Sequence, residues 1–333
     1  MIKRALAIFC MLPVALCFSQ NNKYHIVKTF HIASPGSWDY LAVNGNKLYV
    51  SHGTQVNIVD KNTGDSLGVI PNTAGVHGIA FAKSFNKGFT SNGRSNNITV
   101  FDLNTDKVLE QISTGQNPDA ILFDNFSKKV ITCNGRSNDL SVIDPATSKM
   151  VATIPVGGKP ETAVTDAAGR LYVNIEDKNE IVEVDTKTFQ VKNRFSIAPG
   201  DGPTGLAIDK KTKRLFAGCD KLLVVADATT GKVIDKLTIG GGCDGVAFDP
   251  STNNIFTSNG EGTVTVIHED NPNQFKVVEN AVTKARARTI TIDEQTHRIY
   301  LPTAEFETVA QNAAANERPK MIPGTFQVLV IDK

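Results

Sequence analysis

The tetrad Asp-x-x-Thr returns five times along this chain, at Asp60 to Thr63, Asp102 to Thr105, Asp144 to Thr147, Asp185 to Thr188 and Asp227 to Thr230, with Asp-to-Asp steps of 42, 42, 41 and 42 residues. Each tetrad closes a short apolar run, as Leu140-Ser141-Val142-Ile143 precedes Asp144. A period of this length, with several strand-like runs per unit, predicts a β-propeller in which every repeat is one four-stranded blade. Turn chemistry explains the tetrad. An Asp carboxylate accepts a hydrogen bond from the backbone two residues on, which stops a strand and closes a hairpin. A device repeated in five blades occupies five equivalent places, so it builds the fold and marks no asymmetric site.

The third repeat displays the blade plan as four runs split by turn residues: Ala120 to Asp124, Lys129 to Cys133, Asp139 to Asp144 and Met150 to Pro155. The first run is apolar on both faces in most repeats, as in Gly78-Ile79-Ala80-Phe81, a pattern that suits an inner strand between neighbouring blades. Third runs end at Asp60, Asp102, Asp144, Asp185, Asp227, His268 and Asp332, which predicts seven blades. The seventh has no fourth run before Lys333, whereas His25 to Ala33 is a fourth-type run with nothing ahead of it. Pairing the two closes the ring and covers strand edges otherwise open to aggregation. The expected fold is all-β, a single seven-bladed propeller over residues 20–333. Two repeats depart from the plan. Blade six carries His268-Glu269-Asp270-Asn271 in place of the tetrad, and the 64-residue step from His268 to Asp332 contains a polar insert from Glu305 to Gly324. Such an insert is either a solvated loop or a functional lid.

Residues 1–19 read as a signal peptide: Lys3 and Arg4, the apolar run Ala5 to Leu16, then small residues at Cys17 and Ser19. Cleavage before Gln20 is expected, which makes the protein periplasmic or secreted. Without Lys3 and Arg4 the chain has 33 basic and 34 acidic residues, a balance that offers no field for nucleic acid or acidic membranes. No later stretch is apolar for long enough to span a bilayer. Cys133, Cys219 and Cys243 are an odd number, so a disulfide scaffold does not hold the fold, although Cys219 and Cys243 are candidates for one bridge. A monomer is expected.

Function is expected on the rim opposite the Asp-x-x-Thr turns. The residues leading into the inner strands are Asp39, His77, Asp119, Glu161, Thr204, Asp244 and Arg288, one per blade, predicted to ring the mouth of the central channel. Unlike the tetrad, this ring changes from blade to blade, as an asymmetric site requires. The loops Ser91-Asn92-Gly93-Arg94-Ser95-Asn96 and Cys133-Asn134-Gly135-Arg136-Ser137-Asn138 share the rim. Asn-Gly is a hairpin-turn signal in itself. Arg94 and Arg136 are not needed by that turn, and two guanidiniums side by side suit a carboxylate or phosphate. Trp38, the only tryptophan, adjoins Asp39 as a stacking platform or as cover for the first blade. Metal binding is a further possibility, since His52, His77, Cys219, Cys243 and the ring acids map to one rim. No Cys-x-x-Cys or His-x-x-x-His specifies the metal, and no motif specifies another cofactor.

The second-strand ends Leu48-Tyr49-Val50-Ser51, Leu171-Tyr172-Val173-Asn174 and Ile255-Phe256-Thr257-Ser258-Asn259, with Thr153-Ile154-Pro155-Val156-Gly157-Gly158, resemble the YVTN-repeat, YncE-like propellers over nearly the whole chain after residue 19. The resemblance implies a blade-built protein, often exported by bacteria, with binding or scaffolding roles. The leading expectation is non-enzymatic binding of a small ligand, ion or partner at the channel rim by Trp38, Asp39, His77, Arg94, Asp119, Arg136, Glu161, Asp244 and Arg288. One alternative is a lactonase-like hydrolase or cycloisomerase using His77, Glu161 and Arg288 as base, acid and oxyanion partner. Another is a protein-interaction scaffold.

Overall fold

A computed structural model describes residues 23–32, 34–307 and 319–333; residues 1–19 and the middle of the insert lie outside these. The described residues form seven four-stranded antiparallel sheets. In six of them the strands run in chain order from the inner to the outer edge, as do Pro118–Asp124, Lys129–Asn134, Asp139–Asp144 and Lys149–Pro155. The seventh is ordered Thr291–Ile292, Ile299–Thr303, Gln327–Asp332 and His25–His31, so the N-terminal strand completes the last blade. No described helix is long and apolar enough to cross a membrane.

Burial follows the position of each strand in its blade. Second and third strands such as Lys129–Asn134 and Asp139–Asp144 are buried at every interior residue, because neighbouring blades cover both faces. First strands are only half-buried along much of their length, as in Pro118–Asp124, since one side looks into the channel. An aromatic residue of the second strand wedges between blades in six of the seven: Tyr49, Phe89, Phe216, Phe256 and Tyr300 are fully buried and Tyr172 nearly so, and only the blade-three strand Lys129–Asn134 has none. The Tyr49 hydroxyl donates to Asp106 Oδ1 of the next blade at 2.8 Å, which gives its polar tip a partner inside the joint.

The tetrads act as turn closers. Asp102 Oδ1 accepts from the Asn104 and Thr105 amides at 2.9 and 2.8 Å, and Asp227 Oδ1 from Thr229 and Thr230 at 2.9 Å each. A second set, not singled out in the sequence, does the same between first and second strands. Thr212 and Thr252 each donate to the Asp three residues earlier, Asp209 and Asp249, at 2.7 Å. Blade six lacks the tetrad because its outer hairpin is longer: Thr263–Asn271 and Gln274–Val282 each run nine residues, so the third strand ends beyond His268.

Candidate functional site

The ring residues owe their direction to bulges. Pairing of the first and second strands slips between Trp38 and Leu41, Val76 and Ile79, Pro118 and Ile121, Pro160 and Ala163, and Cys243 and Gly245. Asp39, His77, Asp119, Glu161 and Asp244 sit within these five slips. A bulge re-aims a side chain and breaks the alternation of the strand, which here turns each residue toward the mouth. Second-strand serines tie the bulges down: the Ser91 hydroxyl donates to the Asp119 carbonyl and accepts the Gly78 amide at 2.8 Å, and the Ser258 hydroxyl donates to the Arg288 carbonyl. Beneath the ring, the Tyr40 and Thr162 hydroxyls approach to 3.5 Å from blades one and four and narrow the channel.

Three pairings organise the ring. His77 Nδ1 donates to Asp39 Oδ2 at 2.5 Å, with Asp119 Oδ2 at 3.9 Å. Arg288 meets Asp244 at 2.5 Å. Lys159 meets Glu161 at 2.6 Å and also contacts Glu176. Burial alone would depress the His77 imidazolium, but the Asp39 hydrogen bond and the Asp119 charge outweigh it and raise its pKa to about 9. Burial and the Asp39 charge push Asp119 up to about 7, while burial and the Asp119 charge push Glu161 up to about 8. Burial lifts Asp244 to about 6 against the pull of Arg288.

These values set the pH dependence of stability. Folded Asp119, Glu161 and Asp244 keep protons that the unfolded chain gives up near pH 4, and folded His77 keeps one that it gives up near 6.5. Stability therefore falls as pH rises from about 4 through about 9. On the acid side, hydrogen bonds from Thr165, Thr252 and Lys61 outweigh burial and hold Asp124, Asp249 and Asp293 below 3.8. That contribution is lost as pH falls through their folded values. The melting temperature should peak at about pH 4. A profile that is flat or rising from pH 5 to 9 contradicts the ring electrostatics.

On one side of this ring lies a cavity of about 410 Å³ whose wall includes Trp38, Asp39, His77, Arg94, Arg136 and Arg288, but not Asp119 or Asp244. Arg94 and Arg136 are exposed and have no acidic partner among the described residues. Their loops are not two-residue turns. Asn92 and Asn134 are buried and pin their hairpins by side-chain bonds, Asn92 Nδ2 to Asn97 Oδ1 and Thr99 Oγ1 at 2.8 Å each. The left-handed residues are Asn96 and Asn138, not the glycines. Gly93 is required for another reason: a side chain there would sit 2.7 Å from His77 Nε2.

A second cleft of about 540 Å³ shares Ser37, Trp38 and Arg288 with the first and adds Arg286, Phe306, Pro319 and Met321. The described ends of the insert thus reach the mouth, where Phe306 bridges to Met321 and lies 4.6 Å from the Arg286 guanidinium. Trp38 stacks on Phe326 at 5.4 Å.

Several expected participants lie elsewhere. Glu161 does not line the 410 Å³ cavity that holds His77 and Arg288. Thr204 Oγ1 donates to the Cys243 carbonyl at 2.9 Å, so its hydroxyl serves a blade joint. His52 is a core residue, stacked on Phe326 at 3.9 Å with Nε2 donating to the Gly36 carbonyl at 2.8 Å, and burial lowers its pKa. Cys133, Cys219 and Cys243 are buried free thiols, so Cys219 and Cys243 form no bridge. Burial pushes Cys219 up to about 11, and the cluster of metal-capable donors among the described residues is Asp39, His77 and Asp119, with no cysteine in it. Lys159, Arg286 and Phe306 were not expected at the mouth. The signal for Lys159 is its place in Lys159-Pro160-Glu161, which parallels Asn117-Pro118-Asp119 at the same blade position.

No family model matches the chain, and no curated protein does. Among solved structures it is similar to hydrazine synthase of Kuenenia stuttgartiensis, with 14% identity and a TM-score of 0.70 over 79% of this chain and 91% of that one. At this identity the likeness is one of fold, and it agrees with the β-propeller seen here.

Proposed function

We propose that this chain is an exported, non-enzymatic propeller of the YVTN-repeat, YncE-like kind that binds a small anion carrying an apolar group at the channel mouth. The observation that carries the reading is the pair Arg94 and Arg136, on one cavity wall with Trp38 and Arg288 and without an acidic partner among the described residues. Guanidiniums are pre-shaped for carboxylate or phosphate, and two from adjacent blades can grip both oxygens of one group. The neighbouring cleft of Trp38, Phe306 and Met321 supplies apolar surface next to that grip. Binding is favoured over hydrolysis because His77, Glu161 and Arg288 are each engaged by a different neighbour, Asp39, Lys159 and Asp244. Export rests on the Lys3 to Ser19 pattern alone.

Isothermal titration with phosphate and with linear and aromatic carboxylates tests this. Arg94→Ala should weaken binding of the best anion about 10- to 100-fold, and Arg94→Ala with Arg136→Ala should abolish it, since each charge-assisted bond is worth about 1.5–3 kcal/mol. Equal affinity in the double variant and the parent chain would remove the anion reading.

A further inference from the structure

Asp39, His77 and Asp119 come from the inner strands of blades one, two and three, and each offers a donor atom within 4.8 Å of the other two. Their charges do not balance as those of the rest of the ring do. Asp244 has Arg288 at 2.5 Å and Glu161 has Lys159 at 2.6 Å. Asp39 and Asp119 share one imidazole, and the Asp119 carboxylate accepts no hydrogen bond from a described residue, its one cationic partner within 4.0 Å among the described residues being His77 Nδ1 at 3.9 Å. Two carboxylates half-buried around a single ring nitrogen are short of positive charge, and a bound cation supplies it. A bulge at each of the three donors fixes its backbone, so the donors are gathered at one place before any ion arrives.

We propose that Asp39, His77 and Asp119 form a three-ligand site for a first-row divalent cation, with its remaining coordination positions open to the cavity lined by Arg94 and Arg136. One imidazole nitrogen with two carboxylate oxygens suits zinc or manganese, whereas calcium and magnesium favour all-oxygen sets. Around an ion held at about 2 Å the donor atoms stand about 3–3.5 Å apart, so Asp119 Oδ2 closes on His77 Nδ1 from 3.9 Å while Asp39 Oδ2 opens from 2.5 Å as its hydrogen bond gives way to the ion. Uptake releases the His77 ring proton to solvent, and no bond in the chain breaks. The site stands independently of the anion reading, because none of its ligands is one of the clamp arginines. If both hold, the ligand is an anion that also completes the coordination of a metal.

The test is titration of the EDTA-treated, dialysed protein with Zn²⁺, Mn²⁺ and Ca²⁺ in a buffer free of carboxylate and phosphate. One equivalent of Zn²⁺ or Mn²⁺ should bind, with Ca²⁺ at least about 100-fold weaker. Asp119→Asn and His77→Gln should each reduce affinity about 100-fold or more, whereas Arg94→Ala with Arg136→Ala, which removes two positive charges from the same cavity wall, should not weaken it. Co²⁺ should give visible absorption bands in the parent chain that His77→Gln removes. Circular dichroism and melting of each variant confirm that it is folded, and Asp39→Asn serves where one is not. A parent chain that binds Zn²⁺ and Mn²⁺ no more tightly than folded His77→Gln overturns the site. Anion binding that persists in EDTA while cation binding is absent overturns the site and leaves the anion clamp standing.

Discussion

Phe30→Ala should lower the unfolding free energy by about 3–5 kcal/mol, the usual cost of emptying a buried aromatic position. Phe30 lies in His25–His31 at 3% exposure and packs with Leu41, Leu48 and Val59 of blade one and with Tyr300 and Val328 of blade seven. Its ring fills the space where a side chain on Gly64 would stand, and Gly64 holds φ +81, a conformation that also favours glycine. The same joint occurs inside the chain, where Phe195 of blade four fills the space beside Gly231 of blade five at φ +72. Ring closure therefore uses an ordinary blade joint, made from the two ends of the chain. Loosening it bares the edge of Gln327–Asp332, so soluble yield should drop along with the denaturation midpoint. Guanidinium melts of Phe30→Ala and Phe195→Ala measure this. A loss under about 1 kcal/mol in Phe30→Ala would mean that the N-terminal strand does not carry the closure.

What the sequence disclosed, and what it concealed, follows from repetition. Asp102 and Asp227 make the same bonds in their turns, so the period could be read off, and counting third strands led to seven blades and to the closing role of His25–His31. Position in a repeat also identified the residues of the mouth: Trp38, Asp39, His77, Arg94, Arg136 and Arg288 line one cavity. Pairing was not legible, because it depends on one-residue slips. Nothing in Trp38-Asp39-Tyr40-Leu41 announces the bulge that turns Asp39 toward His77. Proline gives a partial hint, since Pro118 and Pro160 open strands whose first pairs precede a slip. The asparagines misled for a related reason. Asn92 resembles a turn residue, yet it is buried and spends its amide on Asn97 and Thr99, a role set by the third strand rather than by the dipeptide.

The mouth and the seam are one region of the molecule. Trp38 of blade one stacks on Phe326, which precedes the third strand of blade seven, and Phe326 in turn stacks on His52 of blade one. The aromatic wall of the apolar cleft is thus also a fastening across the closure. A ligand seated against Trp38 and Arg288 touches both partners of that joint, so its binding should raise the stability of the closed ring by mass action.

The far end of the seam carries the second large effect. Lys61 Nζ lies 2.7 Å from Asp293 Oδ2, with the two side chains 7% and 4% exposed, joining the blade-one turn to the end of the innermost strand of blade seven. The Lys61 carbonyl also accepts the Tyr300 hydroxyl at 3.0 Å, a bond that a change of the Lys61 side chain leaves in place. Lys61→Ala strands a buried carboxylate, and at pH 7 it should cost about 3–5 kcal/mol. Burial by itself pushes Asp293 upward, and the Lys61 and Thr296 hydrogen bonds hold it below 3.8. In the parent chain this stabilisation is present above about pH 4 and is lost as pH falls through the folded value, so the gap between parent and Lys61→Ala should narrow in acid. Lys61→Met with Asp293→Asn removes both charges and keeps most of the volume, and should return to within about 1 kcal/mol of the parent. Urea melts of Lys61→Met, Asp293→Asn and the double variant measure the coupling directly. Additive losses would mean that the two groups do not hold the seam as a pair, whereas recovery in the double variant means that the cost of Lys61→Ala is the cost of an orphaned charge.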